Sequence, residues 1–261
     1  MTTMRVVFVG GRIAYRALFN WLRPAIYIPT MLGTPLFQIL FFASLGRHSG
    51  LADDGFFVVG NAVQASAMAG VYGMVMTIAN ERQLGTLPSL LATPANRPAL
   101  FCGRALPLIA NGLLVSAFGF AAGLVLLDFS LPVAAVPALA ATVMVTAVSC
   151  TAFGLTLGAI GLRARDVWVG SNLAYFLLLL LCGANVPPGQ LPSWLAAVGG
   201  ALPLTHGIDA ARQVVAGAGL PEVAGLLGRE GLIAAAYAAL GYGLLRLFEV
   251  EGRRRATLET F

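Results

Sequence analysis

The sequence predicts an all-α membrane protein with six transmembrane helices, an amphipathic N-terminal helix and a re-entrant helical hairpin before the last span. The first observation is composition: 58% of the 261 residues are hydrophobic and 10% are charged, whereas a soluble domain has about 25% charged residues. The second is the length of uncharged stretches such as 55–80 and 105–127, since about 20 apolar residues in a helix cross a bilayer. The third is that arginines cluster between these stretches.

Residues 1–24 are expected to form an amphipathic helix on the cytoplasmic face of the membrane. Its polar residues recur at helical spacing and share one face: Arg12, Arg16, Asn20 and Arg23. The opposite face carries Trp21 and aliphatic residues. Such a helix lies in the interface, with its arginines directed toward anionic headgroups. The alternative is a positively charged flank that only orients the first span.

Residues 25–250 are expected to form the membrane domain. Its six spans follow the uncharged stretches and are predicted at 25–45, 56–79, 105–127, 133–162, 167–183 and 231–248. Pro29 and Pro35 should kink the first span or displace its start. The pairs Gly119-x-x-x-Gly123 and Gly154-x-x-x-Gly158 permit close helix contact in the third and fourth spans.

Residues 184–218 are predicted to form two short helices that enter the outer leaflet and return. Prolines divide this apolar stretch into pieces that are too short to cross a bilayer. Asp209 and Arg212 form an i, i+3 pair on the second short helix. The candidate residues of this extracytoplasmic hairpin are Pro187, Pro192, Trp194, Pro203, His206, Asp209 and Arg212.

The distribution of arginine predicts the orientation of the chain. With six spans and both termini in the cytoplasm, thirteen arginines lie inside and three, Arg47, Arg212 and Arg229, lie outside. This is a clear positive-inside bias. It places the loop 80–104 and the tail 251–261 in the cytoplasm of a multi-pass protein of the cytoplasmic membrane.

The loop 80–104 is the longest charged interruption between two uncharged stretches. Thr86 can cap a short helix within it, and Leu84, Leu87 and Leu91 then fall on one face. Pro94 ends this helix, because the residue before a proline is displaced from the α region. A short helix with an apolar face suits docking into a groove on a partner protein. The alternative is an ordinary interhelical loop.

The pattern E-R-x-x-G-T-L-x-x-L-L-x-T-P in this loop resembles the coupling loop of type-2 ABC exporter permeases, the membrane subunits of daunorubicin-resistance and nodulation-factor type exporters. The matching residues are Glu81, Arg82, Gly85, Thr86, Leu87, Leu90, Leu91, Thr93 and Pro94. Pro88 departs from the family, which often has an acidic residue there. The patterns P-x-x-x-L-P-x-W-L and P-L-T-H-G-I-D-A-A-R resemble the extracytoplasmic hairpin of the same family.

The resemblance implies the permease subunit of an ATP-driven exporter of drugs, lipids, glycolipids or polysaccharides. Its expected partners are ABC ATPase subunits, a second copy of itself or a related permease, and membrane lipids. ATP and magnesium are expected on the ATPase and no cofactor on this chain. The residues agree, because the chain has no lysine and a P-loop needs one at the phosphates. The arginines follow topology, so no nucleic-acid partner is expected.

Uncharged polar residues inside the predicted spans are candidates for lining a substrate path, with methionine and phenylalanine as adaptable apolar neighbours. They are Asn61, Gln64, Met68, Tyr72, Asn111, Asn172, Tyr175 and Phe176. The alternative for each is an interhelical hydrogen bond or simple packing. No aspartate or glutamate lies near the middle of a predicted span, which argues against an ion-coupled carrier. The alternative function is a non-transport membrane enzyme or assembly factor, against which the lack of a catalytic or metal-ligating constellation counts.

Overall fold

The computed structural model describes residues 4, 8–12, 14–15, 24–50, 53–83, 97–127, 129–162 and 167–255. All regular elements in these ranges are helices. The first, α1, runs through three consecutive segments, Pro24–Tyr27, a π-helical turn at Ile28–Gly33, and Thr34–Ser49. The others are α2 (Asp54–Gln83), α3 (Arg97–Leu126), α4 (Val136–Gly161), α5 (Val167–Leu181), α6 (Ser193–Ala201), α7 (Thr205–Val215) and α8 (Leu220–Arg255). Short 3-10 turns at Val133–Ala135 and Pro188–Gln190 precede α4 and α6.

The helix α2 is the centre of the molecule. Its most apolar window is 72% buried, whereas those of the other four long helices are at most 44% buried. The helices α3 and α4 pack along α2, α1 and α5 flank it, and α8 packs on α4. Every functional residue placed on α2 is therefore in contact with several other helices.

Glycines allow the closest of these contacts. A methyl group added at Gly119 of α3 would lie 3.0 Å from the Cα atom of Ala62 in α2, and one at Gly154 of α4 would lie 2.8 Å from the Val71 carbonyl oxygen. Gly123 and Gly158 also face α2, where an added methyl group would meet side-chain atoms of Val58 at 2.3 Å and Ile78 at 2.6 Å. The predicted close contacts of both glycine pairs are confirmed, and the tightest backbone approach is at Gly154.

Within the described ranges, five helical stretches are long and apolar enough to cross a membrane. They are Ile28–His48, Asp54–Glu81, Pro98–Leu126, Val133–Gly161 and Leu220–Phe248. The helix α5 has 15 residues, which gives a length of about 22 Å, less than the hydrocarbon core of a bilayer. A multi-pass protein is therefore shown, while a crossing by α5, and with it the sixth span, stays a prediction.

The first span continues through its two prolines. Pro29 lies at the start of the π-helical turn, and Pro35 lies in the first turn of the following α-helical segment. A π-helical turn changes the backbone hydrogen-bonding pattern, so the missing N–H of a proline there does not end the helix. The N-terminal helix is described only in part. Its buried Gly11 lies close to the carbonyl oxygen of Gly103 at the start of α3.

The start of the last span was predicted wrongly. The last span is predicted at 231–248, but α8 already begins at Leu220. An acidic side chain, Glu230, therefore lies inside the last candidate span, which the sequence analysis did not expect. The physical reason is a contact between distant parts of the chain: the N–H groups of Leu204 and Gly207 bind the buried Glu230 side chain, so this residue can lie inside α8.

The predicted pair of short helices between α5 and α8 is present as α6 and α7. Thr205 and His206, at the start of α7, contact the last carbonyl groups of α6: Thr205 Oγ1 donates to Gly199 O at 2.6 Å, and His206 Nε2 lies 3.2 Å from Gly200 O. Carbonyl groups at the end of a helix need such partners. These contacts join the two short helices at the corner between them, and a re-entrant hairpin that enters the outer leaflet stays a prediction.

Candidate functional site

Amide and phenol side chains of α1, α2 and α5 meet along one face of α2. Asn61, Gln64 and Tyr72 lie on this face at helical spacing, as does Met68. We call the polar set the polar seam and define it as Gln38, Asn61, Gln64, Tyr72, Asn172, Tyr175 and Asn185. The seam collects five of the eight residues that the sequence predicts for a substrate path.

Hydrogen bonds join three elements at one end of the seam. Gln38 Nε2 of α1 donates to Asn61 Oδ1 of α2 at 2.7 Å. Asn61 Nδ2 in turn donates to Asn185 Oδ1, just after α5, at 2.8 Å. The Tyr175 hydroxyl of α5 reaches Gln38 Oε1 at 3.4 Å, at the long limit for such a bond. The contact between α1 and α5 is therefore weaker than the contacts of α1 and Asn185 with α2.

The other end of the seam joins α2 to α5. The Tyr72 hydroxyl donates to Asn172 Oδ1 at 2.7 Å, and Asn172 Nδ2 donates to the Trp168 carbonyl oxygen at 2.9 Å. The rings of Tyr72 and Tyr175 lie 5.5 Å apart between their centroids. These contacts fix the register of α5 against α2.

Gln64 is the exception in this network. Its side chain is fully buried, yet neither amide atom has a hydrogen-bond partner in the part of the chain that the structure describes. The Tyr175 hydroxyl approaches this amide without reaching hydrogen-bond geometry. A buried unpaired polar group costs about 1–3 kcal/mol. Such a group in a folded protein therefore calls for an explanation.

Exposed aromatic side chains neighbour seam residues along α1 and α5. Phe37 and Phe41 of α1 and Phe176 of α5 are all more than 60% exposed, and Met68 lies half-buried between the polar positions of α2. An apolar border around a polar line matches an amphipathic molecule better than a fully polar one.

Asn111 does not belong to the seam. The Tyr27 hydroxyl of α1 donates to Asn111 Oδ1 of α3 at 2.7 Å, so this side chain links α1 to α3. Conversely, the sequence analysis missed Gln38 and Asn185. Gln38 could have been found, because it is the lone amide in the otherwise apolar stretch 24–46. Asn185 gave no such signal, since it follows the end of α5.

Arg212 of α7 closes the outer end of the seam. Its Nη2 atom donates to the carbonyl oxygens of Gly183 at 2.7 Å and Phe56 at 3.2 Å, and its guanidinium carbon lies 3.6 Å from the Phe56 ring centroid. Burial lowers the pKa of Arg212 to about 10, while the charges of Asp209 and Asp53 act in the opposite direction. The guanidinium thus fixes the turn that positions Asn185.

Glu230 of α8 binds the start of α7. This side chain is fully buried, and its two oxygens accept hydrogen bonds from the N–H groups of Leu204 at 2.8 Å and Gly207 at 3.2 Å. A helix N-terminus attracts a carboxylate through its free N–H groups and its dipole. Leu204 itself has a positive φ of 87°, which is unusual for a residue with a side chain. Glu230 therefore holds the hairpin in a conformation that its backbone alone does not favour.

An ion pair joins the two helices that flank the predicted coupling loop. Arg104 Nη2 of α3 lies 2.7 Å from Glu81 Oε1 of α2. The helix α2 extends to Gln83, so Glu81 and Arg82 belong to its last turn. The other predicted coupling residues lie outside the described residues: Gly85, Thr86, Leu87, Leu90, Leu91, Thr93 and Pro94. Of the predicted hairpin residues, Pro187, Pro192, Trp194 and Pro203 lie in or beside the turns around α6.

Comparison with known proteins adds the following. The ABC-2 type transporter family matches residues 11–215, which reach from the N-terminal helix to the end of α7. Two curated relatives, both described as probable multidrug ABC transporter permease YbhR, come from Escherichia coli strain K12 and from Escherichia coli O157:H7. Each is 26% identical over 172 residues, which cover 60% of this chain and 43% of the relative. The matched stretch thus spans less than half the length of these relatives.

Proposed function

We propose, from the premise that the chain belongs to the ABC-2 type transporter family, that it is the permease subunit of an ATP-driven exporter. The cargo is a hydrophobic or amphipathic molecule that leaves across the cytoplasmic membrane. The observation that carries this proposal is the polar seam: a line of hydrogen-bonding side chains along the central helix of a multi-pass protein, with aromatic residues on either side.

Energy for transport comes from a partner in this proposal. The chain lacks the lysine that a P-loop requires, so ATP and magnesium bind to ABC ATPase subunits on the cytoplasmic side. The loop 80–104 is the docking element, and the ion pair between Glu81 and Arg104 fixes its two ends to each other. A force on the loop then acts on α2 and α3 together, and α2 carries the seam.

The path is completed by a second copy of the chain or by a related permease. Exposed aromatic residues of α1 and α5 stand on both sides of the seam, so a second subunit that packs on this face would enclose it. Lipids cover the rest of the apolar surface. Transport requires that the ATP-bound state favour an outward arrangement of these helices, because a ligand shifts an equilibrium only through its different affinity for the two states.

ATP-dependent transport into inverted membrane vesicles tests the proposal. Vesicles that contain the chain and its ATPase should accumulate an amphipathic dye when ATP is added. Vesicles with the ATPase alone should not. Equal accumulation in both preparations, or accumulation that ATP does not change, would contradict an exporter role for this chain.

A further inference from the structure

The polar seam holds more hydrogen-bonding capacity than the protein itself uses. Both amide atoms of Gln64 and the Nδ2 atom of Asn185 are buried without a partner in the described part of the chain. Gln64 lies one helical turn from Asn61 and is fully buried. The Tyr175 hydroxyl of α5 reaches Gln38 Oε1 of α1 only at 3.4 Å. The Gln64 amide and the Asn185 Nδ2 atom are thus unpaired hydrogen-bonding groups near the contact between α1 and α5.

This unused capacity is uncharged. No residue of 24–46, 55–80 or 167–183 carries a charge, so α1, α5 and the seam face of α2 offer only amides, hydroxyls and apolar groups. The charge at the outer end belongs to Arg212. Its Nη2 atom donates to carbonyl oxygens and its guanidinium lies over the Phe56 ring, while its buried Nε atom has no partner in the described part of the chain. The charges of Asp209 and Asp53 stabilise this cation. At the inner end, Glu81 pairs with Arg104.

Beside Gln64, away from the Arg212 end, a charged group meets no counter-charge from the stretches 24–46, 55–80 and 167–183. Transfer of an ion from water into an apolar interior is far more costly than transfer of a hydroxyl or an amide. A neutral group with donors and acceptors loses much less hydration free energy. Gln64 and Asn185 can also form hydrogen bonds with it in place of those that it made with water. The seam therefore discriminates by charge.

We infer that the seam is a binding site for the neutral, hydroxyl- or amide-bearing part of an amphipathic substrate, and that it rejects charged headgroups. This inference rests on the proposed export function and adds the substrate class. The substrate enters where the weak bond between Tyr175 and Gln38 parts. Its polar group pairs with Gln64, and its apolar part lies against Met68, Phe37 and Phe176.

Photolabelling of the full chain in membrane vesicles tests this inference. Three probes share one alkyl chain with a diazirine and differ in the headgroup: glucoside, trimethylammonium or sulfate. Labelling of peptides from α1, α2 and α5 is measured by mass spectrometry and divided by labelling of the exposed surface of α8 around Leu232. The glucoside should label the seam about tenfold more than either ion, because trimethylammonium forms no hydrogen bond there and sulfate loses more hydration free energy than its hydrogen bonds in the seam return.

The variant Gln64→Leu gives the residue-level test. Glucoside labelling of the seam should fall about tenfold, the loss expected for one hydrogen bond. The thermal stability of the variant should stay equal to wild type or rise, because an unpaired buried amide is removed. A matched control is Ser116→Ala in α3, which also removes a buried oxygen without a partner but lies outside the seam, and it should leave labelling unchanged.

Three results would overturn the inference. The first is equal labelling of the seam by the glucoside and the ions. The second is unchanged glucoside labelling in Gln64→Leu, and the third is a loss of thermal stability in Gln64→Leu that accompanies its loss of labelling. The second would mean that only water pairs with Gln64, and the third that the amide is structural. Failure of the export function is seen separately, because the chain would then fail to give ATP-dependent transport while the charge preference of labelling persists.

Discussion

At the scale of single residues, the buried polar groups of this protein fall into two kinds. Glu230 and the Nη2 atom of Arg212 bond to the backbone and hold α7 in place. Gln64 and the Nδ2 atom of Asn185 use none within the described residues. The first kind stabilises the folded chain, since a buried charge with several hydrogen bonds is far less costly than one without them. The second kind lowers stability, which is a common feature of residues that bind a ligand.

The Glu230 cap predicts a graded loss of stability. Glu230→Ala leaves the N–H groups of Leu204 and Gly207 without a partner, and each costs about 1–3 kcal/mol when buried. Glu230→Gln keeps one acceptor oxygen and should lose less. The measurement is the apparent melting temperature in detergent, with proteolysis between α6 and α7 as a local probe.

The control for this series is Glu222→Ala. Glu222 is exposed, and its Oε2 atom accepts from Gly219 N at 3.2 Å at the start of α8. Loss of such an exposed cap costs about 1 kcal/mol at most. Equal melting temperatures for Glu230→Ala and Glu222→Ala would show that Glu230 does not hold the hairpin.

At the scale of helices, α2 owes its central position to glycines on its neighbours. Gly119 and Gly123 let α3 approach, and Gly154 and Gly158 do the same for α4. In a membrane, apolar surface gives helices no preference for each other over lipid, so close backbone contact matters more than in water. The seam is thus built on a rigid central helix with the more loosely held α1 and α5 on either side.

The close contact of α4 with α2 predicts that a glycine-to-alanine change destabilises the protein at Gly154 but not at Gly243. Gly154→Ala places a methyl group 2.8 Å from the Val71 carbonyl oxygen, which the backbone cannot relieve, so overpacking of about 1–3 kcal/mol is expected. Gly243→Ala in α8 meets nothing within 4 Å and should be neutral or stabilising by up to about 1 kcal/mol. Size-exclusion profiles after heating measure both. Equal thermal stability of the two variants would contradict the packing account.

The sequence predicts helix positions correctly where they depend on the local pattern of residues. The uncharged stretches predicted α2 and α4 to within a few residues, and the small-residue pairs predicted their contacts with one another and with α3. The start of α8 could not be predicted, because the partners of Glu230 lie 23 and 26 residues away along the chain. The seam was predicted as a set of residues but not as a network. Gln38 and Asn185 join it through contacts that only the packing of three elements creates.

At the scale of the whole molecule, orientation and coupling follow from topology. The arginine distribution predicts that the loop 80–104 lies inside, next to the ends of α2 and α3 that the Glu81–Arg104 pair joins. The hairpin of α6 and α7 lies beyond the opposite end of α2, where Arg212 contacts Phe56. The helix α2 therefore connects the proposed docking side to the proposed exit side.

Single-cysteine labelling tests this orientation. Cysteines placed at Ala52, Pro188, Gln190 and Gly219 should react from the outside, and those at Ala95 and Thr257 only from the inside. The exposed Cys102 is first replaced by alanine so that it gives no background. Labelling of Gln190 and Gly219 from opposite sides would mean that the hairpin crosses the membrane. Labelling of Ala95 from the outside would reverse the whole arrangement.

The central claim is that an ATPase docked on the loop 80–104 drives this chain, and Leu87→Asp tests it most directly. An apolar anchor at an interface costs about 2 kcal/mol or more when it is lost, and a buried unpaired carboxylate adds to this. The measurement is co-purification of the ATPase together with ATP-dependent transport at matched expression. Leu87→Asp should insert normally and lose both, while Ala95→Asp, beyond the predicted helix end, should keep both. Wild-type transport by Leu87→Asp would contradict the claim.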